Sequence, residues 1–179
     1  ANDLNRFYKV PMNKLFPIKL GFNNKKYYPI KKIRKKFFLI IGRHNPHKNL
    51  ERVIKAFAYA KINDYKLIFV GPFDKKHTPS LIKLIDEYNL GHLCVWKGWI
   101  DDDEKLSLLN ECHALIIASL WEGFGLPALE AMACGTPVIA SEKGALRETM
   151  GNYGYFVNPL NIQSIAFAMN AVINDKKCF

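Results

Sequence analysis

Long apolar runs are missing from this chain. No stretch of its 179 residues approaches the roughly 20 consecutive apolar positions that a bilayer-spanning helix needs. Residues Ala1 to Arg6 lack the apolar centre of a secretory leader, so a cytoplasmic protein is the expectation. Cysteine is sparse. Cys94, Cys112, Cys134 and Cys178 show no Cys-x-x-Cys spacing, and three of them lie inside apolar or helical runs. That pattern argues against a disulfide framework and against a thiolate metal site, and for buried, reduced thiols. The five histidines also lack ligand spacing, and no Gly-x-Ser-x-Gly elbow of a serine hydrolase occurs. No internal repeat, low-complexity tail or pyridoxal-lysine signature is evident. What remains, with 49% hydrophobic and 23% charged residues, suits one globular α/β-sized domain with a full core.

Acids are scarce at the amino-terminal end. Residues 1–55 hold 15 lysines and arginines against 2 acids, whereas the rest hold 11 against 14, within a net charge of +10. The densest part is Lys25–Lys36, seven basic residues interleaved with aromatics. It reads as a solvated connector, with contact to acidic lipid headgroups or a nucleic-acid backbone as the functional alternative. We divide the chain into a basic segment, residues 1–36, and a sheet-bearing domain, residues 37–179.

From Phe37 onward short apolar runs alternate with helical patterns. Strands are expected at 37–41, 66–70, 93–96, 114–118, 137–140 and 155–157. Helices are expected at 49–60, from a Ser80 cap to Tyr88, at 102–109, 126–133 and 145–149, and at 162–173. Buried strands alternating with helices give the fold class α/β, a Rossmann-like parallel sheet with helices on both faces. Ligands of such sheets bind beyond the carboxyl ends of the strands, near the switch in strand order.

Three loops fall at that edge. Glu122-Gly-Phe-Gly-Leu-Pro-Ala-Leu-Glu130 sets two carboxylates around a Gly-x-Gly turn that opens a helix. Free N–H groups at the helix start, around Gly123, Phe124, Gly125 and Leu126, form a cradle for an anion. Gly42-Arg-His-Asn-Pro-His-Lys-Asn49 offers the planar fork of Arg43 and the point charge of Lys48 to phosphate oxygens. His44 or His47 could join them. In Lys97-Gly-Trp-Ile-Asp101, Trp99 or Ile100 could flank a flat base, although for a lone tryptophan core packing is the stronger expectation. Asp101-Asp-Asp103 has the look of a metal-binding Asp-x-Asp, but at a helix start capping explains it.

Gly42-Arg43…Lys48-Asn49, Gly98-Trp99-Ile100, Glu122…Glu130, Ala133-Cys-Gly-Thr-Pro137 and Gly144…Glu148 occur in that order. Together they resemble the carboxyl-terminal, donor-binding half of the retaining GT-B glycosyltransferases of family four, over about Pro11 to Ile173. The resemblance implies that Arg43 and Lys48 hold the donor diphosphate and offset charge on the departing nucleotide. It implies that Glu130 binds the ribose hydroxyls and that Glu122 stands beside the transferred sugar. The main chain at Ile100 would meet the base, and backbone from Gly123 to Leu126 would contact sugar and phosphate. The implied activity is metal-independent transfer of a hexose from a UDP- or GDP-sugar to a glycan, lipid or polysaccharide, with no cofactor. An amino-terminal acceptor domain would be the other half of the cleft. Residues 25–36 would be the point of any peripheral membrane contact, with nucleic acid disfavoured. A nucleotide-sugar epimerase on the same fold, or a basic binding module, is the alternative. The chain departs from the family at Ile18–Asn24, where many members carry Pro-Asn-Gly.

Overall fold

The computed structural model describes residues 2–18 and 20–175; Cys178 and the end of the 37–179 domain lie outside them. Six strands form one parallel sheet: β1 Phe37–Ile41, β2 Lys66–Val70, β3 Cys94–Lys97, β4 Ala114–Ile117, β5 Val138–Ser141 and β6 Tyr155–Val157. Their order is β3-β2-β1-β4-β5-β6. The central strands are apolar on both faces because both are covered, so alternation in sequence is lost there. In β1, Phe38 and Ile40 join one core while Phe37 and Leu39 join the other.

Among the described residues seven α-helices accompany the sheet: α1 Asn2–Tyr8, α2 Leu50–Ala60, α3 Thr78–Glu87, α4 Asp102–Glu111, α5 Leu126–Ala133, α6 Leu146–Met150 and α7 Ile162–Asn174. Leu50, Val53, Ile54 and Phe57 repeat at helical spacing and seat α2 on the first core, alongside Leu81 and Ile85 of α3 and Ile165 and Met169 of α7. Leu108 and Leu109 of α4, Ala128 and Ala131 of α5, and Leu146 of α6 fill the second. Each large side chain buried this way contributes about 1.5–3 kcal/mol. Helix starts follow sequence chemistry at two places. The Asp101 carboxylate accepts from the Glu104 N–H at 2.8 Å, and Asn161 caps α7 by accepting from Gln163 and Ser164. Asp101 is therefore a cap, as its position suggested.

Three expectations change. Helix α3 begins at Thr78, and Ser80 sits inside it, donating to the His77 carbonyl at 2.8 Å, so Ser80 is not its cap. Helix α1 was not foreseen; it has no buried residue to give an apolar stripe its meaning. The basic run is not a free connector. Lys26 pairs with Asp102, Lys32 and Lys35 with Glu111, and Lys36 with Asp64. Arg34 donates to the carbonyls of Cys112 and Gly135 and to Thr136 Oγ1. Tyr27 is buried in the second core, and Asn110 Oδ1 accepts from the Ile30 N–H at 2.6 Å. Residues 23–36 thus form a strap across α4 and the α5–β5 turn. The acids that hold it lie far along the chain, where charge counting by segment cannot see them.

Candidate functional site at the switch in strand order

Strands β1 and β4 are neighbours although two strand–helix units separate them in sequence, so the order reverses between them. The loops that follow both strands splay apart there and leave a crevice. Two contacts hold these loops together. The Leu120 N–H donates to the His47 carbonyl at 2.8 Å, and Asn49 Nδ2 donates to the carbonyls of Ala118 and Pro159 at 2.8 and 2.7 Å. Asn49 adopts the left-handed conformation, φ 60°, which asparagine tolerates better than most residues. Its role as a buried crosslink was not legible in sequence, because its acceptors are 69 and 110 residues away.

Lys48 and Glu122 meet in the crevice. Glu122 Oε1 accepts from Lys48 Nζ at 2.6 Å and from Ser119 Oγ at 2.7 Å, with both charged side chains largely shielded. Charge-assisted bonds of this kind contribute about 1.5–3 kcal/mol each. Ser119, at the end of β4, fixes the carboxylate. Arg43 lines the same crevice as Lys48 and Ser119. It is exposed and makes no hydrogen bond or ion pair among the described residues. The structure therefore brings Arg43, Lys48 and Glu122 together: one free cation, and one held by an acid that orients it.

Glu130 faces another way. Gly125 precedes α5 with φ 88°, and a Cβ there would lie 2.3 Å from Leu146 Cδ2, so only glycine fits the turn. Pro127 in the first turn and the absence of a side-chain cap leave the helix start open toward Gly123 and Phe124. One turn in, Glu130 is only 8% exposed and points at α4, where Lys105 Nζ lies 2.5 Å from its Oε2. Tyr27 of the strap lies under the same ammonium, 5.1 Å from Nζ to ring centroid. Lys105 and Tyr27 were missed by the sequence reading; Lys105, five positions past Ile100 and on α4, was the available signal. Ile100 is half-buried against the second core beside this group.

Trp99 corrects the expectation of core packing: it is 79% exposed. With Phe73, Pro72, Asp74 and Arg43 it lines a cleft of about 300 Å³. His44, by contrast, is buried, its Nδ1 2.8 Å from Thr78 Oγ1 and its ring edge-on to Trp96. Burial pushes its pKa down, so the imidazole is neutral near pH 7 and belongs to the packing beneath the loop. His47 stays exposed at the loop surface. A larger cavity, about 880 Å³, lies elsewhere, along the strap by Ile33, Tyr153 and Pro137, at the amino ends of the strands.

Among the described residues no group of three histidine, cysteine or acidic side chains could hold a metal ion. Burial pushes the Cys94 and Cys112 thiols up to about 12, which leaves them protonated and unreactive.

The sheet order and the crevice define the class: a Rossmann-like α/β domain of the sort that takes ligands at its switch point. The chain belongs to the family described as glycosyl transferases group 1, which residues 24–178 match. The alpha-1,3/1,6-mannosyltransferase ALG2 of Dictyostelium discoideum is 35% identical over 166 residues, 82% of this chain and 39% of that protein. Sucrose-phosphate synthase from Thermosynechococcus elongatus superposes with a TM-score of 0.85 at 30% identity, over 99% of this chain and 47% of that one. The carboxyl-terminal domain of a group 1 glycosyl transferase, LpcC, from Francisella tularensis gives 0.77 at 30% identity, over 88% of this chain and 90% of that domain. The chain spans less than half the length of the curated relatives it matches.

Proposed function

We propose that the domain binds the nucleotide diphosphate of a sugar donor and serves a retaining, metal-independent glycosyltransferase. The observation that carries this is Arg43, exposed and unpaired, set in one crevice with the tethered Lys48 at the strand switch. Breaking a sugar–phosphate bond builds negative charge on the leaving diphosphate, and cations already in place offset it without reorganisation. Glu122, held by Lys48 and Ser119, would stand beside the transferred sugar, and backbone N–H groups from Gly123 to Leu126 would meet sugar and phosphate. Glu130 would clamp the ribose. Main chain at Ile100, with exposed Trp99 and Phe73 nearby, would flank the base. Relatives named as mannosyltransferases support mannose as the hexose, with UDP or GDP as the carrier and a glycan or lipid as acceptor.

Exposed Phe7, Tyr8, Phe16 and Ile18 support an amino-terminal acceptor domain that covers residues 2–18 in the whole protein. A membrane contact through residues 25–36 is weakened by the ion pairs of Lys26, Lys32, Lys35 and Lys36, and the same pairs disfavour nucleic acid. Calorimetric titration with UDP, GDP and ADP tests the reading. Arg43→Ala and Lys48→Ala should each weaken diphosphate binding about tenfold or more, in line with the loss of a charge-assisted contact. Equal affinity for a nucleoside and its diphosphate would refute it.

A further inference from the structure

His44 is 4% exposed, although Arg43 beside it reaches solvent. Its Nδ1 lies 2.8 Å from the hydroxyl of Thr78, which is wholly buried at the start of α3. That hydroxyl already accepts from the Asp74 N–H at 2.9 Å, and among the described residues Nδ1 is the one acceptor for its own proton. The neutral ring therefore accepts at Nδ1 and carries its proton on Nε2, which is buried without a hydrogen-bond partner. We propose that His44 is a positioning residue: its neutral ring latches the Arg43 loop to α3 through Thr78, and protonation releases the latch and with it the grip of Arg43 on a diphosphate. This rests on the reading of Arg43 given above.

The chain of contacts from His44 through Thr78 to Asp74 connects two segments that line one cleft, since Arg43 and Asp74 share it with Phe73 and Trp99. Main chain secures the loop at its start, where the Gly42 N–H donates to the Val70 carbonyl, and Asn49 and the His47 carbonyl secure its end. Between those points the His44 side chain is the anchor. Protonation would set an N–H at Nδ1 against the Thr78 hydroxyl, whose proton then loses its acceptor, and would place a cation in a buried site. The charged groups around the ring do not relieve this. Asp74 Oδ1 already accepts from the Lys76 N–H, the His77 N–H and the His77 ring. Strand β3 brings Trp96 and then Lys97, which is paired with Glu104, and the loop itself brings the like charge of Arg43. Burial lowers the His44 pKa below its ordinary 6.5 against a weaker pull from Asp74. The latch is thus closed at neutral pH and opens as pH falls below 6.5. The sign is diagnostic: a proton on His44 acting as a charge alone would strengthen binding of a nearby diphosphate, whereas release of the latch weakens it.

The test is calorimetry on this chain with UDP-glucose and GDP-mannose, from about pH 7.5 to 5. A diphosphate esterified at both ends keeps its charge over that range, unlike a terminal phosphate with a pKa of about 6. The unsubstituted protein should bind more weakly as pH falls, by up to about tenfold per unit once His44 is mostly protonated. Affinity that stays flat or rises overturns the proposal. His44→Asn keeps an uncharged acceptor and should flatten the profile; a fall that persists belongs to another group and is equally refuting. Should that variant not fold, Thr78 gives an independent arm. Thr78→Val should lower affinity severalfold at neutral pH and Thr78→Ser should restore it, whereas a Thr78→Val protein that binds as the unsubstituted one does removes the latch. Imidazole nitrogen NMR shifts should show His44 with its proton on Nε2 at neutral pH; a proton on Nδ1 contradicts the proposal even without ligand. Binding that ignores pH defeats this proposal and leaves the diphosphate site standing. Failure to bind either nucleotide sugar at any pH defeats the reading of Arg43, and the proposal with it.

Discussion

Gly71 is the residue through which a small change should travel furthest. It ends β2 with φ +146°, a conformation that a side chain rarely adopts, and a Cβ built there would lie 2.0 Å from the Gly42 carbonyl oxygen. Contacts below 3.0 Å do not occur at real Cβ atoms, so Gly71→Ala must move the Gly42–Arg43 backbone by about 1 Å. The obstacle is main chain, which cannot rotate aside as a flexible side chain would. Forcing alanine into such a conformation costs about 1–3 kcal/mol, and the displaced loop, anchored by the Gly42 N–H to the Val70 carbonyl at 2.9 Å, adds to that. We expect a loss of stability of about 2–4 kcal/mol, read as a lower urea midpoint with an unchanged slope. Because Arg43 is next in sequence, the same displacement moves the free guanidinium away from the crevice. A misplacement of this size should weaken diphosphate binding by roughly ten- to a hundredfold. Gly98→Ala is the control: nothing lies within 4 Å of its would-be Cβ, so stability and affinity should stay near those of the unsubstituted protein. If Gly71→Ala matches Gly98→Ala in urea midpoint and in diphosphate affinity, the argument from backbone proximity is wrong.

Three further outcomes follow from single contacts. Asn49→Ala removes both donated bonds that join the loops and should lower stability by about 2–3 kcal/mol; Asn49→Asp, which places acceptor oxygens against two carbonyls, should lower it more, as urea unfolding near pH 7 will show. Lys32 and Lys35 hold the Glu111 carboxyl down at about 2, below its ordinary 4.5. Its contribution is therefore present above about pH 4.5 and lost as pH falls toward 2, so Glu111→Gln should flatten that part of the acid-unfolding profile, by about 1 kcal/mol given the exposed lysines. Trp99→Ala should leave the thermal midpoint unchanged, since the ring is exposed, while narrowing the difference in affinity among UDP, GDP and ADP; a large fall in the midpoint would show that the ring is packed after all.

Much of the framework was legible from local chemistry. The strands at 37–41, 66–70 and 155–157 and the helix at 126–133 stand where apolar runs, Pro127 and Gly135 place them, since the hydrophobic period and the turn residues act within a few positions. The three loops at the carboxyl edge were legible too, because a parallel sheet puts every strand-to-helix loop there. Trp99 was misjudged because composition says nothing of which way a loop residue turns. The strap was misjudged because its counter-ions, Asp64, Asp102 and Glu111, are supplied by other elements.

The amino-acid sequence by itself determined the alternation of strands and helices, the glycine turn that opens α5, and the presence of Arg43, Lys48, Glu122 and Glu130 in the loops and helix start at one edge. Only the tertiary structure decided how they are shared out: Lys48 bound to Glu122 and Ser119, Arg43 left free, and Glu130 turned toward Lys105 and Tyr27. The reason is that charge pairing and burial are set by proximity in space, and the strand order β3-β2-β1-β4-β5-β6 brings together groups that the chain keeps dozens of residues apart.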